Sequence, residues 1–168
     1  SHITNTKKII SDIGEFNICA SENQSEKIRL WFEKISKIIG IKIKIKGQIK
    51  SGNYLIISNH SSWLDIIILG STFKTTFLSK IEVSSWPIIG RITRAVDMLF
   101  IDRGKKNAAS VAVDGISRFL SNNRNVTIFP EGTSSGGKKL LKFKPRLFAS
   151  CIDTNSPVQC VIIRYPHK

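Results

Sequence analysis

The stretch YLIISNHSSWLDIIIL, residues 54–69, contains two apolar runs on either side of a polar corner. A short continuous apolar run such as Tyr54–Ile57 is typical of a strand that is buried on both faces. The apolar pattern after the corner predicts a helix over Trp63–Leu69. The stretch therefore predicts a buried strand, a turn and a helix, which are the parts from which α/β sheets are built.

The polar corner carries a histidine and a carboxylate, His60 and Asp65. On one continuous helix, their separation corresponds to a rotation of about 140°, so the two side chains would point to different sides. If the chain instead turns after His60 and the helix begins at Ser61 or Ser62, Asp65 lies in the first turn and can reach back to the imidazole. That arrangement suits a general base and its orienting carboxylate. Ser62-x-x-Asp65 also resembles a capping box, in which Asp65 serves only the helix end, and the corner alone leaves both interpretations open.

Apolar runs and helical patterns alternate along the rest of the chain. The predicted strands are Tyr54–Ile57, Thr76–Leu78, Met98–Ile101, Val126–Phe129 and Val158–Ile163. The predicted helices are Trp63–Leu69, Ser85–Ala95, Asn107–Leu120 and Pro145–Ile152. This alternation predicts an α/β fold with a mostly parallel sheet and helices on both faces.

Two amphipathic segments precede the first of these strands. Ser25–Ile39 predicts a helix whose apolar face, which includes Trp31 and Phe32, packs on the core or docks on a membrane surface. Ile41–Lys46 alternates perfectly between isoleucine and lysine, and so predicts a strand with one buried face and one lysine-lined face.

Length and cysteine content set the domain organisation. We predict a polar arm over residues 1–24 and a single domain over residues 25–168, truncated at its C-terminus. The three cysteines, Cys19, Cys151 and Cys160, are odd in number and widely spaced, which argues against a disulfide framework or a zinc site. We expect reduced thiols, no bound metal and a location on the cytosolic face of a membrane.

The charge balance indicates an anionic partner. Lys and Arg number 26 against 12 Asp and Glu, which gives a formal net charge of +14. Such a charge suits nucleic acid, an anionic membrane surface or phosphate-bearing substrates. No stretch approaches the roughly 18 unbroken apolar residues of a membrane-spanning helix, so any membrane contact is expected at the surface.

Polar residues follow four of the predicted strands at the point where each strand ends. They are Asn59-His60, Ser79-Lys80, Asp102-Arg103 and Pro130-Glu131-Gly132-Thr133. Because the carboxyl ends of parallel strands line one crevice, these loops are expected to converge on one site. A histidine, two acids and several cations suit a base that activates a hydroxyl, beside a clamp for phosphate.

Asn59-His60-Ser61-Ser62-Trp63-Leu64-Asp65 resembles the NHxxxxD block of the glycerolipid acyltransferases, the family of 1-acylglycerol-3-phosphate and lysophospholipid acyltransferases. The family's second, third and fourth blocks are similar to Phe100–Arg103, Phe129–Thr133 and Pro157–Ile163. Lys80-Ile81-Glu82 and Phe143-Lys144 also stand where the family usually has Lys-x-Glu and Phe-Lys. The resemblance runs in the family's order from about Ile39 to the end of the chain.

This resemblance implies transfer of a fatty acyl group from an acyl thioester to the hydroxyl of a lysophospholipid-type acceptor. His60 would be the general base, oriented by Asp65, and no acyl-enzyme would form. The acceptor would be bound by Arg103, Glu131, Gly132, Thr133, Lys80 and Lys144. The donor would be acyl-CoA or acyl carrier protein, with no further cofactor, and the enzyme would work on an anionic membrane surface.

One position departs from the family pattern. Many members that use lysophosphatidic acid have an arginine directly after the Glu-Gly-Thr of the third block, whereas this chain has Ser134. The departure weakens the case for a bare phosphomonoester acceptor. It leaves room for a lysophospholipid with a substituted head group or for a lyso-ornithine lipid.

Two other functions are alternatives to acyl transfer. Gly132-Thr133-Ser134-Ser135-Gly136 fits the G-x-S-x-G of serine hydrolases, with Asp153 and His167 following in triad order, but Gly136–Lys139 predicts a loop where that fold needs a helix. A nucleic-acid-binding module would use Lys42, Lys44, Lys46, Lys138, Lys139 and Lys142. No zinc finger or RNA-recognition pattern accompanies these lysines, so nucleic acid is not the expected partner.

Overall fold

The computed structural model describes residues 24–85, 98–135 and 141–166. Four α-helices are present in these ranges: α1 Gln24–Ile38, α2 Leu64–Thr72, α3 Ala108–Ser121 and α4 Ala149–Thr154. Five strands accompany them: β1 Leu55–Ser58, β2 Thr75–Lys80, β3 Leu99–Ile101, β4 Asn125–Ile128 and β5 Val158–Val161. Short 3₁₀ turns cover Ile81–Ser85 and Pro145–Phe148.

The five strands form one sheet in the order β3-β2-β4-β1-β5, and every pairing is parallel. Leu55 of β1 lies opposite Val126 of β4 on one side and opposite Val158 of β5 on the other. The strand that the opening stretch predicts is therefore inside the sheet, where both of its edges are paired.

Helices cover both faces of this sheet. On one face α1 and α2 pack against Ile56 and Phe77. On the other face α3 and α4 pack against Leu55 and Val126. Because successive strand residues point to opposite faces and both faces are covered, nearly every position in β1 is apolar. The predicted α/β fold with a mostly parallel sheet is confirmed.

The apolar face of α1 belongs to the core. Trp31 and Phe32 are buried, Phe32 to 2% exposure, together with Ile28 and Ile35. Phe32 lies against Gly70 of α2, where an added Cβ would collide with the aromatic ring. These side chains cannot insert into a bilayer while they pack here, so the membrane-docking interpretation of this face is wrong.

The strand predicted over Ile41–Lys46 is also wrong. Residues 41–50 lie outside any helix or strand, and everything from Lys42 onward is exposed. This segment lines a groove together with the edge strand β5 and the residues after it, and its backbone forms no ladder with the sheet. Alternation of isoleucine and lysine indicates an extended segment with one apolar and one charged face. It does not show that a neighbouring strand is present to pair with the segment.

The other boundaries agree closely with the sequence pattern. The helix predicted over Pro145–Ile152 begins as a 3₁₀ turn and becomes α-helical at Ala149. The helix predicted over Ser85–Ala95 and the arm predicted over residues 1–24 lie almost entirely outside the described residues.

Among the described helices, none is long and apolar enough to cross a bilayer. Cys151 and Cys160 are free thiols.

Candidate active site

The loops after β1, β3 and β4 meet at the carboxyl edge of the sheet, as predicted. The backbone N–H of His60 donates to Glu131 Oε1 at 3.0 Å, and the Arg103 guanidinium donates to the Gly132 carbonyl at 2.6 Å. Lys80 ends β2 at the same edge, where it is exposed and lies opposite Ile101 of β3. The parallel topology therefore gathers the predicted residues at one edge.

The His60–Asp65 corner has the geometry expected of a base and its orienting carboxylate. β1 ends at Ser58 and α2 begins at Leu64, which puts Asp65 in the first helical turn. His60 Nδ1 lies 2.9 Å from Asp65 Oδ2. The same oxygen accepts the backbone N–H groups of Ser61 at 2.6 Å and Ser62 at 2.9 Å. Asp65 therefore serves the helix end and the imidazole at once, and the two interpretations of the corner are compatible.

Asp65 is fully buried, at 0% exposure, yet it is held as a carboxylate. Burial by itself raises the pKa of Asp65. Hydrogen bonds from His60, Tyr165 and the backbone of Ser62 and Ser61 outweigh the burial, and the pKa of Asp65 lies below its ordinary value. An ionised Asp65 accepts only, so His60 Nδ1 carries the proton and Nε2 is the basic nitrogen.

The imidazole is held on other sides too. Its ring stacks on Phe129 with centroids 4.0 Å apart and planes inclined by 19°, and Phe129 stacks in turn on Phe77. The His60 carbonyl accepts the backbone N–H of Ser135 at 2.8 Å. The His60 side chain nevertheless stays 19% exposed, so it is both fixed and accessible.

Glu131 is buried and hydrogen-bonded to the protein backbone, whereas a residue that binds the acceptor would be expected to face the open site. It is 4% exposed, and its second oxygen, Oε2, accepts the backbone N–H of Leu141 at 2.8 Å. Its two oxygens thus connect the backbone of the base to the backbone of a later loop. The predicted contact with the acceptor stays a prediction, whereas the hydrogen bonds show that Glu131 positions His60.

A group of cations lies beside the base. Gly132 has φ +74°, and an added Cβ there would lie 2.8 Å from Lys144 Nζ, so the lysine side chain passes directly over this glycine. The Lys144 backbone N–H donates to the Pro130 carbonyl at 2.9 Å. Arg103 reaches the same glycine from the other loop, and Thr133 is exposed next to it. The structure therefore brings Arg103, Gly132, Thr133 and Lys144 together.

The hydrolase triad does not assemble in the described part of the chain. Ser134 is exposed, and Asp153 is an exposed residue of α4, which packs on the opposite face of the sheet from α2. His167 lies outside the described residues. Among the described side chains, no group of three or more His, Cys, Asp or Glu is placed to hold a metal ion.

Two further residues of the site have contacts that the sequence pattern does not predict. The Asn59 side chain forms paired hydrogen bonds with the backbone of Ile163, and the Tyr165 hydroxyl donates to Asp65 Oδ1 at 2.5 Å. Asn59 stands in the first block of the resemblance, but its partner is 104 positions away, and Tyr165 is 100 positions from Asp65. No local sequence signal reports contacts at that separation.

A buried carboxylate and a partly exposed imidazole therefore lie at the carboxyl edge of a parallel sheet, beside several cations, in an α/β protein. Residues 40–164 match the family model described as Acyltransferase. The chain belongs to the acyltransferase family, which confirms the family that the resemblance named.

Several relatives carry more specific descriptions. A lyso-ornithine lipid O-acyltransferase of Pseudomonas aeruginosa is 35% identical over 137 residues, which cover 82% of this chain and 53% of that protein. A 1-acyl-sn-glycerol-3-phosphate acyltransferase of Neisseria gonorrhoeae is 32% identical over 127 residues, which cover 76% of this chain and 50% of that protein. The chain thus spans about half the length of these curated relatives.

A solved structure shares the fold. The crystal structure of the 1-acyl-sn-glycerophosphate (LPA) acyltransferase PlsC from Thermotoga maritima superposes with a TM-score of 0.65 at 22% identity. The superposition covers 91% of this chain and 64% of that one.

Proposed function

We propose that this protein transfers a fatty acyl group from an acyl thioester, of coenzyme A or of acyl carrier protein, to the hydroxyl of a lysolipid. The observation that carries the proposal is the His60–Asp65 pair: an accessible imidazole whose Nδ1 is held by a buried carboxylate. Membership of the acyltransferase family and the names of the relatives support the same reaction.

In the proposed reaction, the His60–Asp65 pair moves one proton out and back. His60 Nε2 takes the proton of the acceptor hydroxyl as its oxygen attacks the thioester carbonyl, which forms a tetrahedral intermediate. Collapse of that intermediate breaks the carbon–sulfur bond and releases the thiolate, which receives the proton back from His60. Asp65 stabilises the imidazolium that exists between these two proton transfers. The products are an ester and a free thiol.

The cations beside the base favour an acceptor with an anionic head group. Arg103 and Lys144 converge over Gly132, and Lys80 ends the adjacent strand at the same edge. Guanidinium and ammonium groups bind phosphate or carboxylate through charge-assisted hydrogen bonds. Because Ser134 stands where many family members have an arginine, this group has one cation fewer. The lower positive charge favours an acceptor with a substituted head group or a lyso-ornithine lipid over a bare phosphomonoester.

The function is tested by supplying the protein with a radiolabelled acyl thioester and one lysolipid at a time. We expect esterified product with a lysolipid and release of one thiol per ester formed. Comparison of a lyso-ornithine lipid with 1-acylglycerol-3-phosphate identifies the head group. Release of thiol or fatty acid without an esterified acceptor would instead indicate a hydrolase.

We expect Arg103→Ala to raise the KM for the acceptor by about 10- to 100-fold, because one charge-assisted hydrogen bond contributes about 1.5–3 kcal/mol. The KM for the thioester donor should change little, since the proposed contact is with the acceptor alone. Initial-rate kinetics with each substrate varied in turn measure both constants. Arg118→Ala on α3, which removes an exposed arginine outside this group, is the matched control. Equal weakening of both substrates would contradict the assignment.

We also propose that the protein acts on the cytosolic surface of an anionic bilayer, and that residues 41–50 form its contact. Since the apolar face of α1 is buried, that face cannot be the contact. In the 41–50 segment Ile43, Ile45 and Ile49 are exposed, Ile45 to 56%, and the lysines among them are exposed as well. Isoleucines and lysines on one exposed segment match the apolar and anionic layers of a bilayer surface.

Charge reversal in this segment should release the protein from anionic vesicles. Each basic residue near such a surface contributes about 1 kcal/mol, so Lys44→Glu combined with Lys46→Glu should weaken binding at least tenfold. Co-sedimentation with phosphatidylglycerol vesicles over a range of salt concentrations measures the loss. Lys27→Glu with Arg118→Glu changes the net charge equally at exposed positions on α1 and α3 and should bind more tightly than the segment variant. Equal losses in the two variants would show that net charge alone governs binding.

A further inference from the structure

We propose that Tyr165 is a positioning residue for the base. Asn59 places Tyr165 there by hydrogen-bonding the chain after β5 to the His60–Asp65 corner. This inference rests on the proposed function, since it assigns a further role in the same reaction. Tyr165 reaches His60 only through Asp65, so its effect is expected on the chemical step.

The two oxygens of Asp65 are served by different parts of the chain. Oδ2 accepts three donors from its own corner, namely His60 Nδ1 and the backbone N–H groups of Ser61 and Ser62. Oδ1 accepts the Tyr165 hydroxyl at 2.5 Å. Because Asp65 has no exposed surface, its oxygens depend on protein donors. In the described part of the chain, the side chains that supply such a donor are those of His60 and Tyr165.

Asn59 explains how a residue so distant in sequence reaches the corner. Its side-chain Nδ2 donates to the Ile163 carbonyl at 3.0 Å, and its Oδ1 accepts the Ile163 N–H at 2.8 Å. Ile163 is two residues before Tyr165, and Asn59 directly precedes His60. The corner therefore carries the base, His60. The preceding residue, Asn59, binds the segment that carries Tyr165.

The hydroxyl of Tyr165 is suited to donate without giving up its proton. Partial burial raises the pKa of Tyr165, which is 37% exposed, and the hydrogen bond and negative charge of Asp65 raise it further, while a hydrogen bond with Ser62 acts in the opposite direction. The net pKa is well above its ordinary value, so the proton stays on the phenol and the negative charge stays on Asp65. A fixed donor on Oδ1 sets the plane of the carboxylate, and hence the direction of Oδ2 toward His60 Nδ1.

Tyr165→Phe tests this role because it removes only the hydroxyl. We expect kcat to fall about 10- to 100-fold, the effect of losing one hydrogen bond to a buried charge, with both substrate KM values within about twofold of wild type. The acid limb of the kcat/KM profile should also move to higher pH, because a carboxylate that has lost a donor attracts the imidazolium proton more strongly. Among the described residues, the titratable groups that hydrogen-bond to the corner are Asp65, Tyr165 and Glu131, and the cations Arg103 and Lys144 lie beside it. Only Tyr165 is altered.

Tyr54→Phe is the matched control. Tyr54 is the other of the two tyrosines in the chain, and its hydroxyl donates to the Lys50 carbonyl at 2.8 Å, before β1 and away from the base. We expect it to keep kcat and the pH profile of wild type at a temperature where circular dichroism shows both variants folded.

Three results would overturn the proposal: Tyr165→Phe with the kcat of Tyr54→Phe, a raised KM with kcat retained, or a lower kcat with no shift of the acid limb. The first denies any role, the second makes Tyr165 a substrate contact, and the third indicates general loosening of the fold. His60→Ala in the same assay separates this inference from the proposed function. If His60→Ala is inactive and Tyr165→Phe is normal, only the positioning role fails, whereas an active His60→Ala removes the function itself.

Discussion

His60→Ala is expected to lower the rate of acyl transfer by about 10²- to 10⁴-fold, the usual contribution of a positioned general base. The variant should still fold, because the contacts that hold this corner use the backbone of residue 60: its N–H bonded to Glu131 and its carbonyl bonded to Ser135. The stacking on Phe129 and the hydrogen bond to Asp65 are lost, and we expect a decrease in thermal stability from these changes. Single-turnover measurement of ester formation gives the chemical rate, and circular dichroism confirms the fold.

His167→Ala is the control that separates acyl transfer from the serine-hydrolase alternative. In the proposed mechanism His60 is the base, so His167→Ala and Ser134→Ala should each keep turnover within a few-fold of wild type. In the hydrolase mechanism those two variants would be inactive and His60→Ala would be active. A purified His60→Ala protein with near-normal turnover would sink the catalytic assignment.

The sheet could be predicted from the sequence because the information needed is local and redundant. Each strand of a parallel sheet that is covered on both faces must be apolar at successive positions, so β1 and β4 stand out from the helices around them. Ile41–Lys46 shows the limit of this reasoning. Its alternation is as regular as any in the chain, yet a strand exists only where a neighbour pairs with it, and periodicity says nothing about the neighbour.

The apolar face of α1 shows a related limit. A stripe with Trp31 and Phe32 predicts burial against something apolar, and a protein core and a bilayer satisfy the stripe equally well. The close approach of Phe32 to Gly70 shows that this stripe packs in the protein core. The periodicity of the helix does not predict this contact, because the two residues are far apart in the sequence.

The same distinction runs through the site. His60 and Asp65 are five positions apart, so the turn between them could be inferred from helix geometry alone. Tyr165 completes the same carboxylate from 100 positions away, and only the path of the chain after β5 brings it there. Glu131 was assigned through the family blocks, but burial and two backbone partners give it a positioning role that a motif does not reveal.

Asp65→Asn should reduce kcat by up to about 10⁴-fold, as expected when a neutral amide replaces the carboxylate that holds a catalytic imidazole. The amide can keep its oxygen toward His60, Ser61 and Ser62 only if its NH₂ group faces Tyr165, whose hydroxyl must then accept instead of donate. Even in that best arrangement the negative charge is gone, so the imidazolium formed during the reaction loses its stabilisation. Steady-state kinetics with both substrates measure the loss, and Asp153→Asn, at an exposed position on α4, should leave kcat unchanged.

The same substitution should alter how the stability of the protein depends on pH. Because the pKa of Asp65 is lowered in the folded protein, the ionised carboxylate stabilises the fold above the unfolded-state value of about 3.9. That stabilisation disappears as the pH falls through the lower, folded-state pKa. The difference in the free energy of unfolding between wild type and Asp65→Asn should therefore shrink as the pH falls from about 5 to below about 4. Urea denaturation at a series of pH values from about 5 downward measures this difference, and one that grew over that range would contradict the ionised, hydrogen-bonded state of Asp65 on which the base depends.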